Sequence, residues 1–477
     1  MIRSTFLSSG KIGPHARRFS FLPLCMLFLG LQAALLPTRA AAATPNPVRI
    51  TLGQAVVPLN SPWKFHTGGD PRWADPNFDD SDWETVDLTP PPGAHDFDVG
   101  LTGYVPGWQA KGHPRYSGYA WYRIRISVDA PPGETLALCG PFYVDNAYQV
   151  FVNGQLLGGS GDFSGRTPVV HNIHLPRLYP LPQSLASPGS AGSIVIAIRA
   201  WMGAWSLGPD TGGIHIAPAL GTTSGAEALY HIQWSQMIKG YIVDASNAFI
   251  FLVLGVMACT LIPFDRSNSA YLWLVAALVL TALRWANQPA FSWWQFETIH
   301  EFELTTILLF VPLSIAAWTL AWCRWFRLPD WTWMRPVVGV LAFLYVASVF
   351  SHRTWFYGVF PHWFGAATNF CITAVRFAFV LLTLFIIFRV VRQPGNERWF
   401  GLPAILAVSV GMYAHELSML GIPGIWFPSG VGVSLSEYGL MVSHFALFVL
   451  LLHRLYSFRQ QAATQTAVAF PSSKSFL

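Results

Sequence analysis

The chain has 477 residues, of which 52% are hydrophobic, 15% are aromatic and only 11% are charged. Soluble domains carry about 25% charged residues, so this balance excludes both an ordinary soluble protein and a disordered one. The net charge of +5 comes mostly from arginines between apolar stretches, and it therefore does not indicate nucleic-acid binding.

The N-terminal residues have the pattern of a targeting segment. Four basic residues precede an apolar run from Phe19 to Leu36, and small residues follow at 40–43. A basic segment, an apolar segment and small residues at a cleavage site, in this order, form a secretory signal peptide. We therefore predict a signal peptide over residues 1–43 and an exported segment after it.

Residues 44–220 have the sequence pattern of an all-β domain. Short apolar and aromatic runs alternate with Pro and Gly, and helical periodicity is absent. The run from Trp121 to Ile126 alternates apolar and basic residues, which predicts a strand with one solvent-facing side. Asn153-Gly154 between two apolar runs predicts a tight hairpin, because both turn positions need positive φ. The segment is predicted to form an all-β jelly-roll sandwich.

The cysteines indicate neither a disulfide nor a metal site. Five are scattered along the chain, and Cys139 is the only one in the exported segment. A single exported cysteine cannot form an internal disulfide, and no His/Cys spacing typical of a metal site occurs. We therefore predict no metal and no cofactor.

Seven apolar stretches, each near the length of a membrane span, follow residue 240. They are Tyr241–Ile262, Ala270–Trp285, Phe302–Trp322, Val337–Phe350, Ala366–Phe388, Phe400–Gly421 and Val433–His453. A bilayer core requires about 20 apolar residues per helix, and lipid admits only backbones whose hydrogen bonds are satisfied internally. We predict a seven-helix transmembrane bundle over residues 241–456, preceded by a linker at 221–240 and followed by a short tail at 457–477.

Basic residues fall on alternate connections between these stretches. One side receives Arg266, Arg324, Arg327, Arg335, Arg389, Arg392, Arg398, Arg454, Arg459 and Lys474. The other side receives only Arg353 in its loops, with Arg284 at a helix end. Basic loops remain cytoplasmic. The β domain is therefore predicted to be periplasmic and the C-terminus cytoplasmic, in a bacterial inner membrane.

Ionisable residues inside the apolar stretches are candidate functional residues, because a charge in lipid is costly. They are Asp244, Arg284, Arg376, His415, Glu416, Glu437 and His444, with Asn369 two helical turns from Arg376. We expect Arg376 to pair with a carboxylate, Glu437 as first choice and Glu416 as second. His415-Glu416 is not the start of an HExxH zinc motif, because Met419 stands four residues after His415. A structural polar network is preferred over proton or ligand chemistry.

Four sequence motifs of the exported segment occur in a characteristic order. They are Trp63–Phe65, Asp70–Trp83, Gly118–Arg123 and Val152–Gly154. In this order they resemble the galactose-binding-like jelly roll that precedes the catalytic barrel in β-galactosidase and β-glucuronidase relatives. A jelly roll followed by seven spans is similar to the bacterial seven-transmembrane receptors with diverse intracellular signalling modules. The resemblance implies a sensor of a carbohydrate-like or other small ligand.

Candidate ligand contacts in the β domain are aromatic. They are Trp73, Trp108, Trp121 and Tyr122. Trp108 lies in a Gly- and Pro-rich stretch at 100–114 and is the best candidate for an exposed contact, whereas core positions are favoured for the others. The acidic run Asp79–Trp83 suits either turn formation or a calcium site, and turn formation is preferred.

Three functions remain open on these grounds. The first is a signal-transducing receptor whose output passes to a separate cytoplasmic protein. The second is an intramembrane enzyme or transporter that uses polar residues of spans five to seven, and the third is a carbohydrate-binding module displayed on the membrane. We expect no enzymatic activity, because neither a glycosidase barrel nor a cytoplasmic catalytic module is recognisable. The expected partners are a small periplasmic ligand, the bilayer and a signalling protein, without nucleic acid.

Overall fold

The computed structural model describes residues 55–60, 62–96, 100–128, 134–171, 174–182, 194–265, 269–295, 297–353, 362–394, 398–418 and 435–469. The predicted signal peptide at 1–43 lies outside these residues. Strands occupy the chain up to Thr222, and long helices follow from Thr223. The predicted order of a β-sheet region and then a helical region is confirmed. We call residues 55–222 the β region and residues 223–469 the helical bundle.

Twelve strands are described in the β region. They are β1 Val56–Pro58, β2 Trp63–Thr67, β3 Glu84–Val86, β4 Gly118–Ile126, β5 Leu136–Cys139, β6 Tyr143–Val144, β7 Ala147–Val152, β8 Gln155–Ser160, β9 Leu178–Pro180, β10 Ile194–Met202, β11 Ile214–Ile216 and β12 Ala219–Thr222. One sheet has the order β3-β2-β4-β10-β7-β8, a second has the order β1-β12-β5-β9, and β11 pairs with β6. Tyr122 and Ile198 of the first sheet meet Leu138 of the second in one hydrophobic core. The two larger sheets therefore enclose a shared core.

The predicted hairpin is present between β7 and β8. Asn153 and Gly154 form its turn, with φ of 45° and 83°, the left-handed values that the sequence signal requires. The side-chain oxygen of Asn153 also accepts a hydrogen bond from the backbone N–H of Val195 at 2.9 Å. The turn is therefore fastened to the neighbouring strand β10.

The acidic loop Asp70–Trp83 is shaped by short-range hydrogen bonds. The carboxylates of Asp70, Asp75 and Asp79 each accept a bond from the backbone N–H two residues later, at 2.9, 2.8 and 3.1 Å. These are turns in which the aspartate side chain bonds its own backbone, as the turn interpretation predicts. The loop thereby turns aromatic rings, including that of Trp83, against the outer face of the six-stranded sheet.

Arg123 of β4 fastens this loop to the sheet. Its side chain is 1% exposed, and its Nε donates to the Asp80 carboxylate at 2.8 Å. Its terminal nitrogens donate to the backbone carbonyls of Trp73 and Asp75. The alternation of apolar and basic residues in β4 predicted a solvent-facing side there. The structure differs because the acidic loop covers that side and supplies oxygen partners to the guanidinium.

The helical bundle contains eight described helices. They are α1 Thr223–Cys259, α2 Ala270–Trp294, α3 Ile299–Trp325, α4 Trp331–Arg353, α5 His362–Val391, α6 Arg398–Met412, α7 Ala414–Ser418 and α8 Leu435–Ala469. Six of them, all except α6 and α7, are long and apolar enough to cross a membrane. This pattern indicates a multi-pass membrane protein.

The sixth predicted span, Phe400–Gly421, is not a single long helix. The helix α6 has 15 residues, and Tyr413 separates it from α7. Two polar side chains at this break contact α5, because the Tyr413 hydroxyl lies 3.1 Å from that of Thr383 and Glu416 pairs with Arg376. The seven predicted stretches are all helical in part, and within the described residues six of them provide full-length spans.

Apolar side chains occupy both the inside and the outside of the bundle. Phe251, Leu278, Trp318, Phe379 and Leu447 come from five different helices, and each is 0–1% exposed in a common core. Other large apolar side chains face outward. Phe343, Phe370 and Leu381 are 71%, 75% and 65% exposed. An outer surface of this kind is stable against lipid and unstable in water.

The helix α3 changes its hydrogen-bond pattern in its first half. Residues Leu304–Phe310 form a π-helix, and the N–H of Val311 bonds the carbonyl of Thr306, five residues earlier. Pro312 follows directly, and proline can neither donate a backbone bond nor tolerate the carbonyl four residues before it. The wider π turn accommodates the proline without ending the helix.

The helix α1 begins where the last strand ends. The residues predicted as a linker at 221–240 are helical from Thr223 onward and continue into the first span. The Thr222 hydroxyl accepts a bond from the N–H of Gly225 at 3.1 Å and so caps the helix. The N–H and hydroxyl of Thr223 both donate to the carbonyl of Thr135, at 2.9 and 3.0 Å. Of the residues predicted as a linker, Thr222 is therefore the helix cap and those from Thr223 onward are the first turns of α1.

A second attachment joins the bundle to the β region. The N–H of Ile299, at the start of α3, donates to the carbonyl of Val170 at 3.1 Å, and its side chain packs near Trp201. Trp293, at the end of α2, packs near Phe142. The start of α1, the end of α2 and the start of α3 thus lie at the β region. We call the opposite end of the bundle the far end.

Replacing Asp80 by Ala should destabilise the β region by about 3 kcal/mol, because it leaves the buried Arg123 guanidinium without its counter-charge. The matched control is Asp79→Ala, which removes the turn interactions of an exposed carboxylate with Ser81 and should destabilise the chain much less than Asp80→Ala. Both are measured as unfolding free energies of the full chain in detergent by tryptophan fluorescence. Equal losses for the two variants would contradict the role given to Arg123.

Candidate functional site

The structure places three of the four predicted ligand contacts in the core. Trp108, Trp121 and Tyr122 are 1%, 0% and 2% exposed. The indole N–H of Trp108 donates to the carbonyl of Tyr116 at 3.2 Å, and a Cβ at Gly212 would lie 2.4 Å from this ring. Glycine therefore makes room for a buried ring here, and the predicted exposure of Trp108 is not found. The role of the partly exposed Trp73 stays a prediction.

Arg376 of α5 forms an ion pair with Glu416 of α7. Its Nη2 lies 2.8 Å from one carboxylate oxygen and its Nε bonds the other, so the contact is bidentate. The two side chains are 12% and 6% exposed. The partner is thus the second choice of the sequence analysis. The side chains of Glu437, the first choice, and of His415 lie outside what the structure describes.

Further polar groups from other helices surround this pair. Tyr345 of α4 lies within electrostatic range of Arg376. Arg284 of α2 lies within electrostatic range of both members of the pair and of Asp244 on α1. Two guanidinium groups therefore face two carboxylates across four helices. We call Asp244, Arg284, Arg376 and Glu416 the charge cluster, and of the predicted polar network it contains Arg376 and Glu416.

Two other predicted members lie apart from the charge cluster. Asn369 is exposed on the outside of α5. His444 of α8 is buried, with its ring 4.5 Å from that of Phe251 on α1 in an edge-to-face contact. Its Nε2 has no hydrogen-bond partner among the described residues. His444 therefore joins α8 to α1 by ring packing rather than through the ion pair.

A buried group in the β region was not identified from the sequence. His215 of β11 contacts the Asp145 carboxylate through Nε2 at 2.9 Å and the carbonyl of Val105 through Nδ1 at 2.8 Å. The ring of Tyr104 stacks on His215 at 4.8 Å. Tyr143 lies against both histidines, 4.7 Å from the His215 ring and 4.0 Å from that of His174. We call His174, His215, Asp145, Tyr104 and Tyr143 the histidine cluster.

The protein shifts the pKa values of the two histidines in opposite directions. Burial would lower the pKa of His215, but the Asp145 carboxylate and the hydrogen bonds raise it above its ordinary value. Burial would raise the pKa of Asp145, but His215 and the N–H of Gly212 hold it below its usual range. Burial lowers the pKa of His174 to about 4, against the opposing influence of Asp96 and Asp145. The Asp145 carboxylate therefore favours the protonated form of His215, whereas His174 is neutral at neutral pH.

The histidine cluster lies next to α1. Phe142 and Ile216, each one residue from a cluster member, pack against Met237 and Tyr241 of α1. Asp244 of the charge cluster follows Tyr241 by three residues, less than one helical turn further into the bundle. The face of α1 that contacts the β region thus continues toward the charged residues.

The sequence analysis missed the histidine cluster because its members are distant in the chain. The contacts of His215 to Asp145 and Val105 span 70 and 110 residues. One local signal was present. The alternation Ile214-His215-Ile216 places a histidine between two apolar residues of a strand, but its partners depend on the packing of separate loops.

Comparisons with known proteins give limited information. No protein-family model matches the chain, and no curated protein matches it. Among solved structures, the chain is similar to a β-glucuronidase from glycoside hydrolase family 2, with 20% identity, a TM-score of 0.26, and coverage of 37% of this chain and 18% of that chain. It is also similar to a Bacteroides uniformis β-glucuronidase at 19% identity and a TM-score of 0.24, over 35% of this chain and 18% of that one.

A β-glycosidase from Bacteroides vulgatus has 20% identity and a TM-score of 0.24, with coverage of 35% of this chain and 20% of that chain. The chain thus spans about a fifth of the length of the structures it matches. Similarity at this level carries no information about activity or substrate. The predicted membership of the seven-transmembrane receptors stays a prediction.

Glu416→Gln should lower the stability of the bundle by about 3 kcal/mol, because it removes the carboxylate that pairs with the largely buried Arg376. Arg376→Met should cost less, since Arg284 remains near the carboxylate. The double variant should recover about 1–3 kcal/mol of the summed loss, which is the signature of a coupled pair. Unfolding of the full chain in mixed micelles measures all three variants. The control Asn369→Ala on the outside of α5 should change stability by less than about 0.5 kcal/mol. Strictly additive losses would mean that the two residues do not interact.

Acid should destabilise the β region through His174. An unfolded histidine binds a proton below about pH 6.5, whereas folded His174 binds one only below about pH 4. Between these values the unfolded state holds more protons, so stability falls as the pH falls. His215 acts in another window, because its contribution is complete below pH 6.5 and is lost as the pH rises through its raised pKa.

The melting temperature of the full chain between pH 4 and 8 tests this dependence. His174→Gln should remove much of the acid slope below pH 6.5, and His171→Gln, at an exposed position three residues earlier, should preserve it. An unchanged acid slope in His174→Gln would exclude His174 as its source.

Proposed function

We propose that this chain is a signal-transducing membrane receptor whose β region binds a small, carbohydrate-like ligand outside the cell membrane. The observation that carries the proposal is the junction between β12 and α1. No flexible segment separates the two elements, and Thr222 and Thr223 bind the helix start to the strand and to Thr135. A movement in the β region therefore reaches the bundle without being absorbed by a linker.

The transmission would be a shift between two arrangements of the bundle. A ligand shifts such an equilibrium only by its difference in affinity for the two states. The charge cluster suits this role, because Arg284 lies near both Glu416 and Asp244 and offers alternative pairings inside the bundle. Interior ion pairs fix one arrangement among competing ones. We propose that a ligand in the β region changes the position of α1 and thereby of Asp244.

The orientation follows from the basic residues. Arg324, Arg327, Arg398 and Arg454 belong to the far end of the bundle, opposite the β region. Basic residues remain on the cytoplasmic side. We propose a periplasmic β region, an inner-membrane bundle and a cytoplasmic far end that contacts a separate signalling protein. The β region is proposed to bind its ligand without hydrolysing it.

An insertion of Gly-Gly between Thr222 and Thr223 tests the proposal. Cys259 at the far end of α1 is exposed and accepts a fluorine label, with the other cysteines replaced. Saccharides that raise the melting temperature of the full chain should also shift the fluorine resonance of the label when the junction is unmodified. The insertion should retain binding and abolish the shift. Gly-Gly inserted beside Gly165, in an exposed loop, is the matched control and should retain both.

Two outcomes would contradict the receptor. One is a fluorine shift of unchanged size in the junction insertion, which would exclude transmission through α1. The other is the absence of any stabilising ligand in a broad saccharide and small-metabolite screen.

A transporter is the second candidate. The observation that favours it is the charge cluster together with irregular helices on two sides, the π-helix in α3 and the break between α6 and α7. Interrupted helices in transporters line binding sites near the middle of the membrane. Proteoliposomes loaded with a pH-sensitive dye decide between the two functions. Proton flux that is lost in Glu416→Gln would favour transport. The absence of proton flux through the unmodified protein would favour the receptor.

A further inference from the structure

The far end of the bundle contains a cavity of about 380 Å³. Its walls come from four places in the chain: the end of α3, the connection after α5, the start of α6 and the middle of α8. The described lining residues are Trp325, Phe326, Arg327, Gln393, Pro394, Arg398, Phe400, Leu450, His453 and Arg454. This volume lies within the range of about 300–1,000 Å³ that holds small ligands.

The lining is basic and aromatic. Three of the ten described lining residues are arginines, and none is Asp or Glu. The Asp265 carboxylate interacts electrostatically with the neighbouring Tyr271, but it is not among the residues that line the cavity. Phe400 and His453 stack face to face at 4.2 Å and form one wall. A cavity with these walls selects an anion that also carries an apolar part.

Two of the arginines are held in position by the protein. The Nε of Arg454 donates to the Tyr271 hydroxyl at 2.9 Å, and its guanidinium lies 5.6 Å from the Trp325 ring. Arg398 donates through Nη1 to the carbonyls of Val391 and Gln393, while its buried Nε has no partner among the described residues. An arginine whose only role is to keep its loop on the cytoplasmic side of the membrane extends into water. Both arginines are instead fixed at the wall of the cavity.

We propose that this cavity binds a phosphate-bearing ligand, with the arginines on the phosphate and the aromatic wall on the apolar part. Arginine is suited to phosphate because its planar fork donates two parallel hydrogen bonds. The ligand is either the headgroup of an anionic phospholipid or a free phosphate ester, and both present the same chemistry. Basic cavities between membrane helices on the cytoplasmic side bind acidic headgroups in this manner. The proposal does not depend on the receptor function.

Binding to the purified full chain in detergent tests the proposal. The probes are dioctanoyl-phosphatidylglycerol, dioctanoyl-phosphatidylcholine and inorganic phosphate, and native mass spectrometry counts the bound molecules. One phosphatidylglycerol should bind about tenfold more tightly than phosphatidylcholine. Phosphate that competes with the lipid supports a site that recognises the headgroup phosphate, and phosphate that binds while the lipid does not identifies a free phosphate ester as the ligand.

Variants separate this site from general attraction to a basic surface. Arg327→Gln changes an exposed rim residue without a role in the bundle core, and Arg454→Gln changes an arginine fixed at the wall. Each should weaken phosphatidylglycerol binding about tenfold, and Arg454→Lys should retain part of the affinity. The matched control is Arg392→Gln, an exposed arginine near the far end that stacks on Phe388 and does not line the cavity. The affinity of this variant for phosphatidylglycerol should be unchanged.

Three results would overturn the proposal. They are equal binding of the two lipids without phosphate competition, unchanged affinity in both Arg327→Gln and Arg454→Gln, and an equal loss in Arg392→Gln. The last result would mean that binding follows the overall charge of the far end and not this cavity.

Discussion

The helix α1 begins in the residue after β12 ends, and the arrangement of the whole molecule depends on this covalent continuity. The cap on Thr222 and the bonds of Thr223 to Thr135 fix the direction in which the helix leaves the sheet. Ala226 is fully buried against the β region. Once this direction is fixed, the face of α1 that carries Met237, Tyr241 and Asp244 can turn in only one way. The β region therefore determines which residues α1 presents to the bundle.

Charges far from water are the second constraint. A buried charge is tolerated only where a partner and further hydrogen bonds compensate for lost hydration. Arg123 in the β region and Arg376 in the bundle meet this condition in a similar manner, with a carboxylate bonded to the guanidinium and a further polar group near it. In both cases the ion pair joins segments that are separate in sequence. The cost of leaving either member alone fixes the position of the acidic loop and of α7.

Local sequence patterns correctly predicted the structural features that depend on residues close together in the chain. The Asn153-Gly154 hairpin and the helical stretches are encoded within a few residues, and so are the turns of the acidic loop. Contacts between distant segments were predicted less well. The alternation in β4 did not reveal that a loop covers Arg123, and the Gly-rich stretch did not reveal that Trp108 fills the space of a missing Cβ. The partner of Arg376 could be narrowed to two carboxylates, because lipid leaves few choices, but the histidine cluster required the folded loops.

The length of α1 has a mechanical consequence. Its 37 residues form a rod about 55 Å long at 1.5 Å per residue, against a hydrocarbon core of about 30 Å. The rod is therefore a lever whose short arm lies in the β region and whose long arm crosses the bilayer. A tilt of about 5° at its attachment displaces the opposite tip by about 5 Å, which is close to one helical turn. A small change of tilt at the sheet would therefore be largest at the end of α1 farthest from the β region.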